Sequence, residues 1–191
     1  MKRIVLASKS PRRRELLGKL YRNFEICAMD VDETLPWNVN IKEGTAILAV
    51  RKGEAVAGLY DDDCVIVSSD TLVELDGEPL GKPENKEDAF NMLRRLSGRT
   101  HNVHTGVAVH YGGRVLSGVA TSSVSFREIS DAEILDYIVT GEPMDKAGSY
   151  GIQGEGGKFV LGYNGDFDTI MGLSLSLTER LITDILGGEN D

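Results

Sequence analysis

The chain predicts an α/β protein, and three observations carry that expectation. Ile4-Val5-Leu6 and Cys64-Val65-Ile66-Val67 are short apolar runs of the kind that form buried strands. Segments with apolar residues at helical spacing follow the first run and separate it from the second. Further on, Val103, Thr105, Val107, Val109 and Tyr111 alternate along a strand that Gly112-Gly113 turns back, which marks a long hairpin. A length of 191 residues suits one substantial domain or two closely packed lobes, and either can bury a core. The composition, 41% hydrophobic and 27% charged, argues against disorder.

Ile4–Leu6 opens the fold. Ser10 then stands where a helix should begin, Pro11 occupies its first position, and Leu16, Leu17 and Leu20 supply its apolar face. The strand therefore delivers Ser8, Lys9, Ser10, Arg12 and Arg13 around a helix N-terminus. Unpaired N–H groups, the positive end of the helix dipole and several cations converge there, which suits an anion, above all phosphate. The competing reading is a solvated basic face, because Arg12, Arg13 and Arg14 are consecutive and strand–Ser-Pro–helix junctions are common.

Phe24–Cys27 reads as a second strand, followed by the acidic segment Asp30-Val31-Asp32-Glu33-Thr34, which Pro36 ends. Such a run is usually solvated, but it can supply one metal ligand beside a phosphate site. Glu43–Leu59 reads as a helix with Ile47, Leu48, Ala55 and Leu59 on its apolar face, weakened locally by Gly53. Lys52 lies on it as a surface residue unless its face turns towards phosphate. The buried run Cys64–Val67 ends in Ser68-Ser69-Asp70-Thr71, and an acid at the carboxyl end of a buried strand is well placed for chemistry. Asp76-Gly77 turns a hairpin within 72–80. Gly81-Lys82-Pro83 then holds one cation in a rigid turn.

Asn85 caps a helix that runs to Leu96 and closes at Ser97-Gly98. The strand Val103–Tyr111 should be buried on one face, and its partner should reach Phe126. His101 and His104 lack a metal-ligand spacing. Ser130 and Glu133 form a capping box for a helix reaching Gly141. Residues 141–154 show no periodicity yet mix Gly and Pro with Asp, Lys, Tyr and Gln, which marks a binding loop. Lys158–Tyr163 is the last strand, Asn164-Gly165 its turn, and Leu173–Leu186 a terminal helix before a frayed tail from Gly187 to Asp191.

A formal net charge of −9 excludes a general nucleic-acid binder, so a phosphate ligand needs a local basic pocket, for which Arg12–Arg14 is the densest candidate. Cys27 and Cys64 read as buried, reduced thiols of an intracellular protein. Apolar runs stay well short of bilayer length, and charge interrupts the N-terminal strand too early for a secretory signal.

Taken in order, several stretches resemble the Maf family of nucleoside triphosphate pyrophosphatases. They are Leu-Ala-Ser-Lys-Ser-Pro-Arg-Arg at 6–13, Ser-Asp-Thr at 69–71, Gly-Lys-Pro at 81–83, Leu-Ser-Gly at 96–98, His101 with Val103 and Thr105, and Asp-Lys-Ala-Gly-Ser-Tyr-Gly-Ile-Gln at 145–153. The resemblance covers nearly the whole chain as a single domain, 1–191. It implies a Maf/inosine-triphosphatase-like fold: an elongated mixed β-sheet flanked by helices, with two lobes around a central cleft. It also implies hydrolysis of a nucleoside triphosphate between its α- and β-phosphates, with a divalent metal, Mg²⁺ or Mn²⁺. Asp70 matches the family's proton acceptor, and Arg12, Thr71 and Gln153 match positions that set nucleotide choice. The 145–153 segment is similar to the branch acting on dTTP and UTP. A cytoplasmic enzyme, forming a homodimer and binding neither nucleic acid nor membrane, is the expectation. Three departures stand out: Gly53 where Ala is usual, Ser68-Ser69 where Gly-Ala is frequent, and Ser174 where Pro is general.

The residues suit that chemistry. Ser8, Ser10, Arg12 and Arg13 can grip a polyphosphate, with Lys52 and Lys82 as further cations. Asp70 can take a proton from the attacking water or, with Glu33, hold the metal. Gln153 offers an amide donor and a carbonyl acceptor to the edge of uracil or thymine. The alternatives are the same reaction on CTP or a modified nucleotide, or a nucleotide-binding regulator of cell division that hydrolyses little.

Overall fold

The computed structural model describes residues 2–35 and 39–187. Pro36, expected to end the acidic segment, and residues 188–191 of the expected frayed tail lie outside the described residues. Among the described residues, seven strands form one mixed sheet in the order β2-β1-β3-β5-β6-β7, with β4 paired to β3. They are β1 (Arg3–Leu6), β2 (Glu25–Ile26), β3 (Cys64–Leu75), β4 (Glu78–Leu80), β5 (Thr100–Tyr111), β6 (Arg114–Phe126) and β7 (Val160–Asn164). The helices are α1 (Pro11–Leu20), α2 (Ile41–Ala57), α3 (Lys86–Leu96), α4 (Asp131–Val139), α5 (Phe167–Met171) and α6 (Leu175–Gly187). β1 runs parallel to β2 and β3, whereas the β3–β4 and β6–β7 pairs are antiparallel. Among the described residues, no helix is long and apolar enough to cross a membrane.

The chain divides into two units. The first comprises Met1–Asp70, Thr105–Ala120 and Gly172–Asp191. Val5, Ala7, Val56, Cys64 and Ile66 form one of its apolar clusters, and α6 packs on α1. Ser10 caps α1 with Pro11 in the first turn, as the sequence implies. Helix α2 begins earlier than expected because Asn40 caps it, its side chain accepting from Glu43 N at 2.9 Å. It also ends earlier, so Leu59 lies beyond it and is 60% exposed instead of joining the apolar face. Cys64 is buried, but Cys27 is only half-buried at the end of a short, exposed β2, which corrects the expectation of two buried thiols.

The second unit comprises Thr71–His104 and Thr121–Met171. Its core gathers Leu93, Leu96, Phe126, Ile134, Tyr137, Tyr150 and Phe159. The Asp76-Gly77 turn has positive φ at both residues, 56° and 80°, the conformation that lets a two-residue turn follow the strand twist. Val73 accordingly pairs with Leu80. The capping box of Ser130 and Glu133 is complete. The aperiodic loop is more ordered than its sequence suggests: Glu142–Asp145, Ala147–Ser149 and Glu155–Phe159 are 3₁₀ turns. Strand β5 is buried on both faces from Val103 onward, so its alternation does not mark an exposed face.

Candidate functional site

Main-chain pairing continues just beyond β1, with Ala7 N donating to Val67 O at 2.8 Å, and this places buried Ser8 at the start of the loop into α1. Ser8 Oγ accepts from Ser10 N at 3.2 Å and from Arg13 Nη1 at 3.4 Å. Ser10 Oγ accepts from Arg13 N at 3.5 Å. The three consecutive arginines do not share one solvated face. Arg12 and Arg13 are half-buried, while Arg14 is exposed on an open groove of about 670 Å³ with Lys9, Lys19 and Arg22. Arg13 Nε donates to Gly172 O at 2.9 Å. Burial draws the Arg13 pKa below its ordinary value, and Arg12 adds to that, while Asp70 and Glu33 oppose it. Arg13 thus stands in the electrostatic field of both acids.

Those acids meet at one lysine. Lys52 Nζ lies 2.7 Å from Glu33 Oε1 and forms a short ion pair with Asp70 Oδ1. Asp70 is buried, Lys52 largely so, and Glu33 exposed. Lys52 is therefore no surface residue: its face of α2 turns inward. Asp70 also departs from expectation, because β3 does not stop near Val67 but continues to Leu75. Two buried serines let the strand pass. Ser68 Oγ donates to Ala49 O at 2.7 Å, and Ser69 Oγ to Gly172 O at 2.8 Å, so neither hydroxyl is left unpaired in the interior. Asp70 nonetheless lies just past Val67, the last β3 residue paired to β1, so it follows the parallel part of the strand.

Gly53 beside Lys52 has a packing reason. A Cβ there would stand 2.3 Å from His110 Nε2 and 2.7 Å from Ser68 Oγ. His110 and Ser68 thus occupy the space that a methyl group at 53 would need. The sequence assigns no role to Ser69 or Gly172, although the Gly172 carbonyl accepts from both Ser69 Oγ and Arg13 Nε. Gly172 has φ 111°, which favours glycine and is the one signal of its special position.

The other expected residues lie on the second unit. Thr71 follows Asp70 along β3 and is half-buried. Lys82 is exposed after β4, and the neighbouring Gly81 O accepts from Gly148 N at 3.0 Å, which joins its turn to the 141–159 loop. Gln153 is exposed on a turn of that loop. His101 Nε2 pairs with Tyr150 OH at 2.8 Å, and His104 lies between Glu74 and Thr121.

Among the described residues, no group of three or more His, Cys, Asp or Glu is placed to hold a metal. Glu33 and Asp70, gathered on one ammonium, still form a pair of hard oxygen donors. Such a pair suits Mg²⁺ or Mn²⁺, which commonly take one or two carboxylates and complete their shell with water and phosphate oxygens.

Comparison with known proteins adds independent findings. The family described as Maf-like protein matches residues 3–185. The dTTP/UTP pyrophosphatase of Bacillus velezensis is 44% identical over 181 residues, 95% of each chain. That of Photorhabdus laumondii is 43% identical over 183 residues, 96% of this chain and 94% of that protein. The structure of the Staphylococcus aureus Ham1 protein aligns over 99% of this chain and 100% of that one, with a TM-score of 0.50 and 19% identity, a likeness of fold.

Proposed function

This chain belongs to the Maf family, and on that premise we propose that it hydrolyses dTTP and UTP to the nucleoside monophosphate and pyrophosphate. The observation that carries the reading is the match, over nearly the full length of both chains, to relatives named dTTP/UTP pyrophosphatase. The buried Asp70–Lys52 pair, with Arg13 in its field, supports the same chemistry.

Water attacks the α-phosphorus, the bond to the oxygen bridging the α- and β-phosphates breaks, and pyrophosphate departs with the electron pair. Asp70 accepts the proton of that water. Arg13 and Lys52 are cations already desolvated and positioned, so they stabilise charge developing on phosphate oxygens with little reorganisation. Ser8, Ser10 and Arg12 complete the grip on the polyphosphate. A divalent cation held by Glu33 and Asp70 would supply charge neutralisation at the phosphate oxygens. Lys82 is proposed as a further cation and Thr71 as a hydroxyl for the substrate. Gln153 pairs with the acceptor–donor edge of the pyrimidine, where the wrong base leaves polar groups unsatisfied. Discrimination between ribose and deoxyribose is expected to be poor.

The free thiols of Cys27 and Cys64 support a reducing, cytoplasmic setting, and the family resemblance carries the expectation of a homodimer. The reading is tested with a panel of nucleoside triphosphates and Mg²⁺ or Mn²⁺, scoring pyrophosphate against orthophosphate. Pyrophosphate from dTTP and UTP in preference to purine nucleotides is the expected result. Orthophosphate as the first product contradicts it.

A further inference from the structure

Gln153 is exposed, so the fixing of its position must come from its main chain. That main chain converges on a single carboxylate. Glu142 follows Gly141 at the end of the α4 segment. Its Oε1 accepts from Tyr137 OH at 2.8 Å and from Gly156 N at 3.3 Å, and its Oε2 accepts from Glu155 N at 2.9 Å. Tyr137 OH in turn accepts from Gly151 N at 3.1 Å. Donors on both sides of Gln153 are thus tied to one buried phenol and one acid. Lys146 Nζ donates to Glu142 O at 2.8 Å and closes the frame from the other side.

Sterics point the same way. A Cβ at Gly154 would lie 2.4–2.5 Å from the Glu142 carboxylate, and one at Gly151 would lie 2.9 Å from its Oε1. A Cβ at Gly156 would lie 2.7 Å from Tyr137 OH. The glycines around Gln153 therefore allow the chain to wrap closely round the acid. Burial on its own would raise the Glu142 pKa. The N–H of Glu155, the Tyr137 hydroxyl, the N–H of Gly156 and Lys146 together hold it below the usual value, so it stays an acceptor-only carboxylate. Tyr137 is itself fixed by edge-on packing against Phe159, 5.3 Å between ring centroids.

We propose that Glu142 and Tyr137 are positioning residues that hold Gln153 for base selection, an inference that rests on Gln153 reading the base. The test compares kcat and KM for dTTP, UTP, dATP and dGTP, together with inhibition by inorganic tripolyphosphate, which carries no base. Tyr137→Phe removes the hydroxyl that links Gly151 to Glu142. It should raise KM for dTTP and UTP about threefold relative to the purine nucleotides, within the loss expected of Gln153→Ala, leaving tripolyphosphate inhibition unchanged. Glu142→Ala should do more, and Glu142→Gln should do less, because an amide keeps one acceptor oxygen for three converging donors. In a Gln153→Ala background these changes should add no further loss of discrimination.

Equal losses for all four nucleotides, or weaker tripolyphosphate inhibition in step with them, would overturn the inference by showing a merely structural role. If Glu142→Ala does not fold, Tyr137→Phe and Glu142→Gln decide alone. Gln153→Ala separates the two levels. If it leaves discrimination intact, base reading by Gln153 fails and the inference with it. If it abolishes discrimination while the Glu142 and Tyr137 variants retain it, only the positioning role fails.

Discussion

Asp70 and Glu142 are both carboxylates at the centre of a polar cluster, one in each unit, and they are held in opposite ways. Asp70 pairs with the ammonium of Lys52, which it shares with Glu33. These are charged side chains, and an incoming phosphate or cation can compete for each of them. Glu142 pairs with a phenol and with main-chain N–H groups at 155 and 156. Those donors belong to the frame of the chain and have no other task. The difference separates an acid available for chemistry from an acid that builds architecture.

The largest effect expected from this contrast is at Asp70. Asp70→Asn keeps the shape, removes the charge, and should lower kcat by roughly 10³-fold with little change in stability, as single-turnover kinetics and thermal melts would show. Near-wild-type turnover would remove Asp70 from the catalytic role and erase the distinction from Glu142.

Acid acts next, through histidines that burial holds below their ordinary pKa, His101 in the second unit and His110 in the first. Burial lowers the His101 pKa from 6.5 to about 4, so the folded protein keeps this ring neutral while the unfolded chain protonates. Its contribution to stability is full above the unfolded value and is lost as pH falls from 6.5 towards 4, roughly 3 kcal/mol in all. Glu133, held down to about 2 by Arg127 and by Ser130, gives way next, between 4.5 and 2. Melting temperatures measured across this range should fall from about pH 6 downward, and His101→Gln should flatten the upper part of the curve.

A packing change beside Lys52 should cost somewhat less. Gly53→Ala forces a methyl group against His110 and Ser68 and should destabilise the first unit by about 2 kcal/mol, read by denaturant unfolding. A neutral effect would mean that His110 moves aside freely. The smallest effect belongs to the base. Gln153→Ala should reduce the preference for pyrimidine over purine nucleotides about tenfold and leave phosphate affinity nearly unchanged.

The same contrast explains what the sequence made legible. Ser10-Pro11, Asn85, Ser130 with Glu133, and Asp76-Gly77 act on their own neighbours, so local chemistry announces them. Asp70 and Lys52 were legible as residue types but not in setting. Nothing local shows that Ser68 and Ser69 find carbonyl partners at Ala49 and Gly172, and those partners let β3 run on through a polar stretch. The 141–159 loop was the least legible. Its turns are held by contacts from Tyr137 and Glu142 to residues 13 or 14 positions away, a pattern with no period to detect.

Hydrolysis of UTP in ¹⁸O-labelled water tests the central claim most directly, because the label marks the phosphorus that water attacks. Attack at the α-phosphorus places ¹⁸O in the released UMP and leaves the pyrophosphate unlabelled. Label in the pyrophosphate instead would show attack at the β-phosphorus and contradict the proposed reaction.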